Sequence, residues 1–153
     1  MNPAAAPADI LPSIADLLRL NSLTLATCGP DSAPHAAPVY FAASESLRLY
    51  FFSDPTSRHA QDLALNPQAG AAIYPECANW QEIRGLQMRG VVQALPPGVE
   101  WQQGWHSYLG KFPFVASLGA LLAQNSLYVF IPAWVRYLDN RRGFGFKQEW
   151  MLE

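Results

Sequence analysis

Between residues 22 and 53 the chain runs through three short extended stretches, SLTLATC, HAAPVYFAA and LRLYFFS, joined by the turn-rich connections GPDSAP and SES. Connections of a few residues suit hairpins, whereas a parallel pair needs a crossover of a dozen residues or more. An antiparallel meander is therefore predicted. In SLTLATC, Leu23, Leu25 and Thr27 alternate with small or polar partners, which is the pattern of a strand with one buried face.

The same kind of run returns later. QAGAAIY reads as a strand, and EIRGLQMRGVVQAL as a long one with a bulge or bend near Gly85 or Gly90. SLYVFIPAWVRYL is predicted to continue past Pro132, and DNRRGFGF to turn the chain into a last strand, GFKQEW. Helices interrupt the series. One begins at Ser13, where SIAD has capping-box spacing; one follows Asp54; one restarts at Pro97; and PFVASLGALLAQ supplies another. Strands that outnumber helices give an α+β fold dominated by antiparallel β-structure, and a small barrel is the arrangement that removes edge strands. Residues 1–8 read as a disordered lead-in and residues 9–153 as a single domain.

Charge narrows the partners. At a formal −2 and a pI of about 5.9, the chain has no general attraction for nucleic acid or anionic lipid, so any anion site must be local. The longest apolar run, FPFVASLGALLA, is interrupted by Pro113 and falls short of a bilayer span, so no membrane insertion is expected. Cys28 and Cys77 lack paired spacing, which suits a reducing cytoplasm. With half its residues hydrophobic and 12% aromatic, the chain carries an apolar excess that points to oligomerisation.

One stretch concentrates polar chemistry. In PTSRHAQDLALNP, Asp54 suits an N-cap, Pro55 the first helical position, and Asn66-Pro67 a stop, which places Thr56, Ser57, Arg58 and His59 among unpaired amides. Two readings stand side by side here: a phosphate cradle, or a helix start capped by its own Asp54 with Arg58 and His59 facing water. His35, His59 and His106 are far apart in sequence without ligand spacing, so no metal is expected, and no G-x-S-x-G or Ser-His-acid pattern supports a hydrolase. Arg84 and Arg89 sit on an apolar strand, where they need partners or solvent, and Trp101 and Trp105 share one helix face.

The order of these pieces, with LYFFS feeding TSRHAQDLALNPQAGAAIY, resembles the pyridoxamine 5′-phosphate oxidase-like FMN-binding split barrels. IRGLQMRGVVQAL, KFPFVASL and DNRRGFGF are similar to the uncharacterised YhbP-like branch, and the likeness spans about residues 13 to 150. The resemblance implies a homodimer of six-stranded, Greek-key split barrels with flanking helices and FMN in a groove between subunits. It implies that Ser57, Arg58 and His59 hold the phosphate. Val39 and Tyr40 would line the isoalloxazine through backbone groups, Phe52 and Ser53 would do so from the next strand, and Gln87 or Arg84 would approach the ring.

The chain departs from the true oxidases in two places. His59 stands where they have lysine, and KQEWMLE lacks their Arg- and Trp-containing C-terminal strand, so vitamin B6 oxidation is not expected. The implied activity is an FMN-dependent oxidoreductase working on a small-molecule substrate or NAD(P)H, with no catalytic side chain assigned. The alternative is a non-catalytic dimeric module that holds flavin or haem.

Overall fold

The computed structural model describes residues 6–153. Eight strands form one antiparallel sheet: β1 (Ser22–Cys28), β2 (Pro34–Tyr40), β3 (Ala42–Ala43), β4 (Leu49–Ser53), β5 (Gln68–Ile73), β6 (Arg84–Ala94), β7 (Ser126–Asp139) and β8 (Lys147–Met151). Four α-helices flank it: α1 (Leu11–Leu18), α2 (Arg58–Leu65), α3 (Val99–Lys111) and α4 (Ala120–Ala123). The α+β class dominated by antiparallel strands is as expected.

The sheet order is β2-β1-β5-β6-β7-β4-β3, with β8 added to β7. Only Phe41 separates β2 from β3, so one bent strand pairs with β1 through its first half and with β4 through its second. The sheet thereby curls back on itself. Phe41 is fully buried at the bend, and its amide donates to the Asn21 carbonyl at 3.1 Å. Counting β2 and β3 as one strand gives seven rather than the six expected, the additional one being β8. It returns along the second half of β7 because Gly143 and Gly145 adopt φ of 130° and 72° in the intervening turn.

The long β6–β7 pairing slips register between Arg89 and Gly90, which locates the predicted bulge at the second of the two glycines considered. Inside the curl, Leu25, Phe51, Ile73, Leu86, Phe130, Val135 and Tyr137 form the core with Ile10, Ile14 and Leu17 from the N-terminal turns. On the other face of β4 and β7, α3 covers Tyr50, Leu127 and Val129.

Several helix boundaries differ from expectation. Residues 1–5 of the predicted disordered lead-in lie outside the described residues, while Ala8–Ile10 form a 3₁₀ turn and Ala6 packs against the core. Helix α1 begins at Leu11 without a side-chain cap, since Pro12 already supplies a good first-turn residue and Ser13 lies inside the helix. PFVASLGALLAQ is a 3₁₀ turn (Pro113–Ser117) and a four-residue helix, because Gly119 takes φ +42° between them.

A buried carboxylate ties the β7–β8 corner. Asp139, 1% exposed, accepts from Arg141 Nε (2.9 Å), Arg141 Nη2 (2.7 Å), the Arg141 amide (3.0 Å) and the Tyr137 hydroxyl. The Arg141 bonds, helped by Tyr137 and opposed by burial, hold its pKa down at about 2 against an ordinary 3.8. A depressed carboxyl pKa stabilises the fold above the unfolded value and loses that contribution as pH falls through the folded one. Wild type is therefore expected to lose about 2 kcal/mol more than Asp139→Asn between pH 5 and pH 2. Urea unfolding across that range measures it, and parallel pH profiles would show that the corner contributes nothing.

Candidate anion and cofactor site

Strand β4 alternates its side chains, so Phe51 and Ser53 point one way and Tyr50 and Phe52 the other. Ser53 consequently ends the strand beside the start of α2. The connection is a tight turn in which the Asp54 carboxylate accepts from the Thr56 amide and hydroxyl, both at 2.8 Å, and the Asp54 carbonyl accepts from the Ser57 amide at 3.0 Å. Asp54 is thus spent on its own turn, and the N-cap is Ser57, three residues later than the sequence suggests. The physical reason is that Asp54 finds a nearer donor pair in Thr56 than in the helix. The Ser57 hydroxyl accepts from the Ala60 amide at 3.4 Å, a long contact for a cap.

Around this helix start four polar side chains converge. His59 Nε2 lies 2.5 Å from the Ser53 hydroxyl and 3.2 Å from that of Ser57. Its ring is parallel to His35 of β2, with centroids 6.4 Å apart. Burial, reinforced by the neighbouring His35 and only partly offset by Asp62, pushes the His59 imidazole below its ordinary pKa, so it is neutral at pH 7. Arg58 is half-exposed; its Nε donates to Asp62 Oδ1 at 2.9 Å and its Nη2 reaches Asp31 at 3.5 Å. Asp62 is buried and accepts also from the Thr27 hydroxyl at 3.0 Å, which pins α2 to β1. Burial works against the Asp62 charge, but the Arg58 and Thr27 hydrogen bonds outweigh it and keep the carboxyl below its usual range. This close approach requires glycine at position 29, where a Cβ would stand 2.6 Å from Asp62 Oδ1.

The remaining predicted residues lie elsewhere. Val39 is buried in the core. Tyr40 is half-exposed, with its ring stacked 5.3 Å from Phe112, and Phe52 meets Trp105 and Tyr108 edge-on. Arg84 and Gln87 border a separate concavity of about 470 Å³ with Tyr74, Cys77, Ile83 and Leu138, and Gln87 Oε1 accepts from Arg136 at 3.2 Å. Within one chain, then, Ser53, Ser57 and His59 come together, Arg58 begins the same helix with its side chain on Asp62 and Asp31, and the other five do not join them.

Sequence reasoning missed three members of the cluster. His35 stands 24 positions from His59, and only the hairpin register that sets it opposite Thr27 brings it near. Asp31 is likewise a tertiary neighbour. Asp62 was detectable, because Arg58 and Asp62 have the i,i+4 spacing of a helical ion pair. The assembled groups are hydroxyls, a neutral imidazole and a guanidinium at the positive end of a helix, a set of donors that can hold an anion.

A curled antiparallel sheet with flanking helices, closed through the bent β2–β3 strand, defines a protein of the split-barrel class. The family model for pyridoxamine 5′-phosphate oxidase matches residues 11–139, and the chain belongs to that superfamily, in its YhbP-like branch. It is 27% identical over 114 residues to the UPF0306 protein YhbP of Salmonella schwarzengrund, covering 74% of each chain. It is 26% identical over 134 residues to the UPF0306 protein plu4501 of Photorhabdus laumondii, covering 88% of this chain and 90% of that one.

Solved structures share the fold at lower identity. A haem-binding protein from Mycobacterium smegmatis superposes with a TM-score of 0.74 at 21% identity over 96% of this chain, which spans 59% of that structure's length. The haem storage protein HutZ from Vibrio cholerae gives 0.68 at 17%, over 81% of this chain and 95% of that one. An FAD-binding protein from Mesorhizobium loti gives 0.65 at 18%, over 82% and 88%. No helix among the described residues is long and apolar enough to cross a membrane.

Proposed function

We propose that this protein is a cytoplasmic FMN-binding oxidoreductase that works as a homodimer on a small-molecule substrate or NAD(P)H. The observation that carries the reading is the donor set at the start of α2: the Ser57 hydroxyl, the Arg58 guanidinium and the His59 imidazole beside Ser53. These groups fit a phosphate monoester, which accepts several hydrogen bonds at once and is favoured by the helix dipole. Bound flavin supplies the electron or hydride chemistry; the chain supplies position, and no side chain need act as acid or base.

The separation of the predicted residues supports a composite split-barrel dimer. Tyr40, Phe52, Arg84 and Gln87 contribute to the same cofactor only if a second copy brings its concavity to the first. The outward positions of β1, β2 and β5 suit such an approach, since Ala26, Ala36, Pro38, Gly70 and Ala72 leave small side chains at the surface.

A neutral histidine where a permanent cation would grip phosphate has a measurable consequence. His59→Lys is expected to bind FMN more tightly than wild type at pH 8, with the advantage shrinking only as pH falls beneath the ordinary imidazole value, since burial holds back the pH at which His59 gains its own proton. Taking the ratio of the two affinities cancels titration of the phosphate itself. A ratio that stays flat down to pH 5 removes His59 from phosphate contact.

Haem is the second reading, favoured by the stacked His35–His59 pair. Two hydroxyls occupy His59 Nε2, which leaves His35 as the imidazole of the pair that would hold haem iron. Incubation with FMN and with haemin in parallel, followed by gel filtration, separates the readings. Co-eluting flavin absorbance bleached by NAD(P)H supports the first; a Soret band lost in His35→Ala supports the second.

A further inference from the structure

The helical face that carries Trp101 and Trp105 borders an open concavity that shares Phe52 with the residues proposed for the flavin. Between α3, the ends of β4 and β7, and the short α4 lies a space of about 370 Å³ whose wall includes Phe52, Leu95, Trp101, Trp105, Leu122 and Leu127. The two indoles stack at 6.0 Å and 21°, and Phe52 meets Trp105 edge-on at 5.9 Å and 85°. Both tryptophans are half-buried, each packing against a core cluster while keeping part of its ring at the surface. The cavity exists because Gly119, at φ +42°, ends the preceding 3₁₀ turn and sets α4 apart from α3.

We infer that this cavity is a binding site for an uncharged planar aromatic molecule. Its volume falls in the range of small-molecule sites, and its aromatic wall supplies π-faces and edges for offset or edge-on stacking. No charged side chain among the described residues lines it, so an ionised ligand would be desolvated without a partner. Asn125 and Ser126 provide the polar groups of the wall, enough for one hydroxyl or carbonyl substituent. Asn125 directs its amide nitrogen to the Leu121 carbonyl at 3.0 Å, which turns its side-chain oxygen into the available acceptor. Phe52 immediately precedes Ser53, so an occupant would sit one residue along the backbone from the group that touches His59.

Isothermal titration of the purified protein with 1-naphthol tests the inference, with 1-naphthoate as the charged counterpart. Saturable binding of 1-naphthol is expected, weakened roughly tenfold or more by Trp105→Ala and by Ala123→Phe, and roughly tenfold weaker for the carboxylate. Ala123 is exposed on α4, so its replacement fills the cavity without touching the core, and circular dichroism verifies the fold of both variants. Absence of saturable 1-naphthol binding to wild type overturns the inference, as does equal binding by folded Ala123→Phe. Flavin co-elution is scored separately in the visible range, so its failure and the failure of this site are distinguishable.

Discussion

Gly90→Ala is expected to destabilise the protein by roughly 2–4 kcal/mol, although it adds a single methyl group. A Cβ at this position would stand 2.1 Å from the Ile131 carbonyl oxygen and 2.8 Å from Ile131 C and Pro132 Cα. These are backbone atoms of the paired strand, which cannot rotate away as a side-chain tip does. Relief requires the β6–β7 pairing to open at the point where its register already slips, and that pairing runs almost the full length of both strands. Gly110 is the contrasting case. It lies within α3, and a methyl group added there would meet nothing within 4 Å, so Gly110→Ala is expected to stabilise by up to about 1 kcal/mol through helix propensity. Urea denaturation of the two variants yields shifts of opposite sign if the bulge geometry is right. A neutral Gly90→Ala would mean that β6 and β7 are not so closely apposed there.

That bulge was legible because glycine inside a long apolar strand has few explanations, and Pro132 on the opposite strand removes the donor a regular ladder needs. The meander was legible for a related reason, since short connections restrict three strands to neighbouring, antiparallel positions. The division of HAAPVYFAA at Phe41 was not, because the bend serves closure of the sheet and no local residue announces it. Helix ends proved the least readable. Asp54 and Ser57 are both good N-cap residues, and the choice between them rests on whether Thr56 lies within reach of the Asp54 carboxylate, a matter of turn geometry. At the candidate site, residues adjacent in sequence were found together, whereas His35 and Asp31 enter only through the β1–β2 hairpin and could not be read from spacing.

Arg58→Ala is expected to lower FMN affinity roughly ten- to a hundredfold, the usual consequence of deleting a charged hydrogen-bond donor to phosphate. The structure adds a complication that sharpens the experiment. Arg58 already donates to buried Asp62 and approaches Asp31, so in the absence of ligand its charge is shared with two carboxylates. Removing the guanidinium also leaves Asp62 with the Thr27 hydroxyl as its remaining side-chain donor, and a loss of stability is expected alongside the loss of affinity. Asp62→Asn separates the two effects. An asparagine keeps its oxygen as the acceptor for Arg58, lets its amide nitrogen donate to the Thr27 hydroxyl oxygen, and withdraws the competing negative charge, so phosphate affinity should rise several-fold where Arg58→Ala makes it fall. Flavin fluorescence titration of wild type and both variants, each checked for folding by circular dichroism, reads these opposite changes. If both variants bind FMN as wild type does, the flavin tail is held somewhere other than the start of α2, and the guanidinium serves only to anchor that helix against β1 through Asp62.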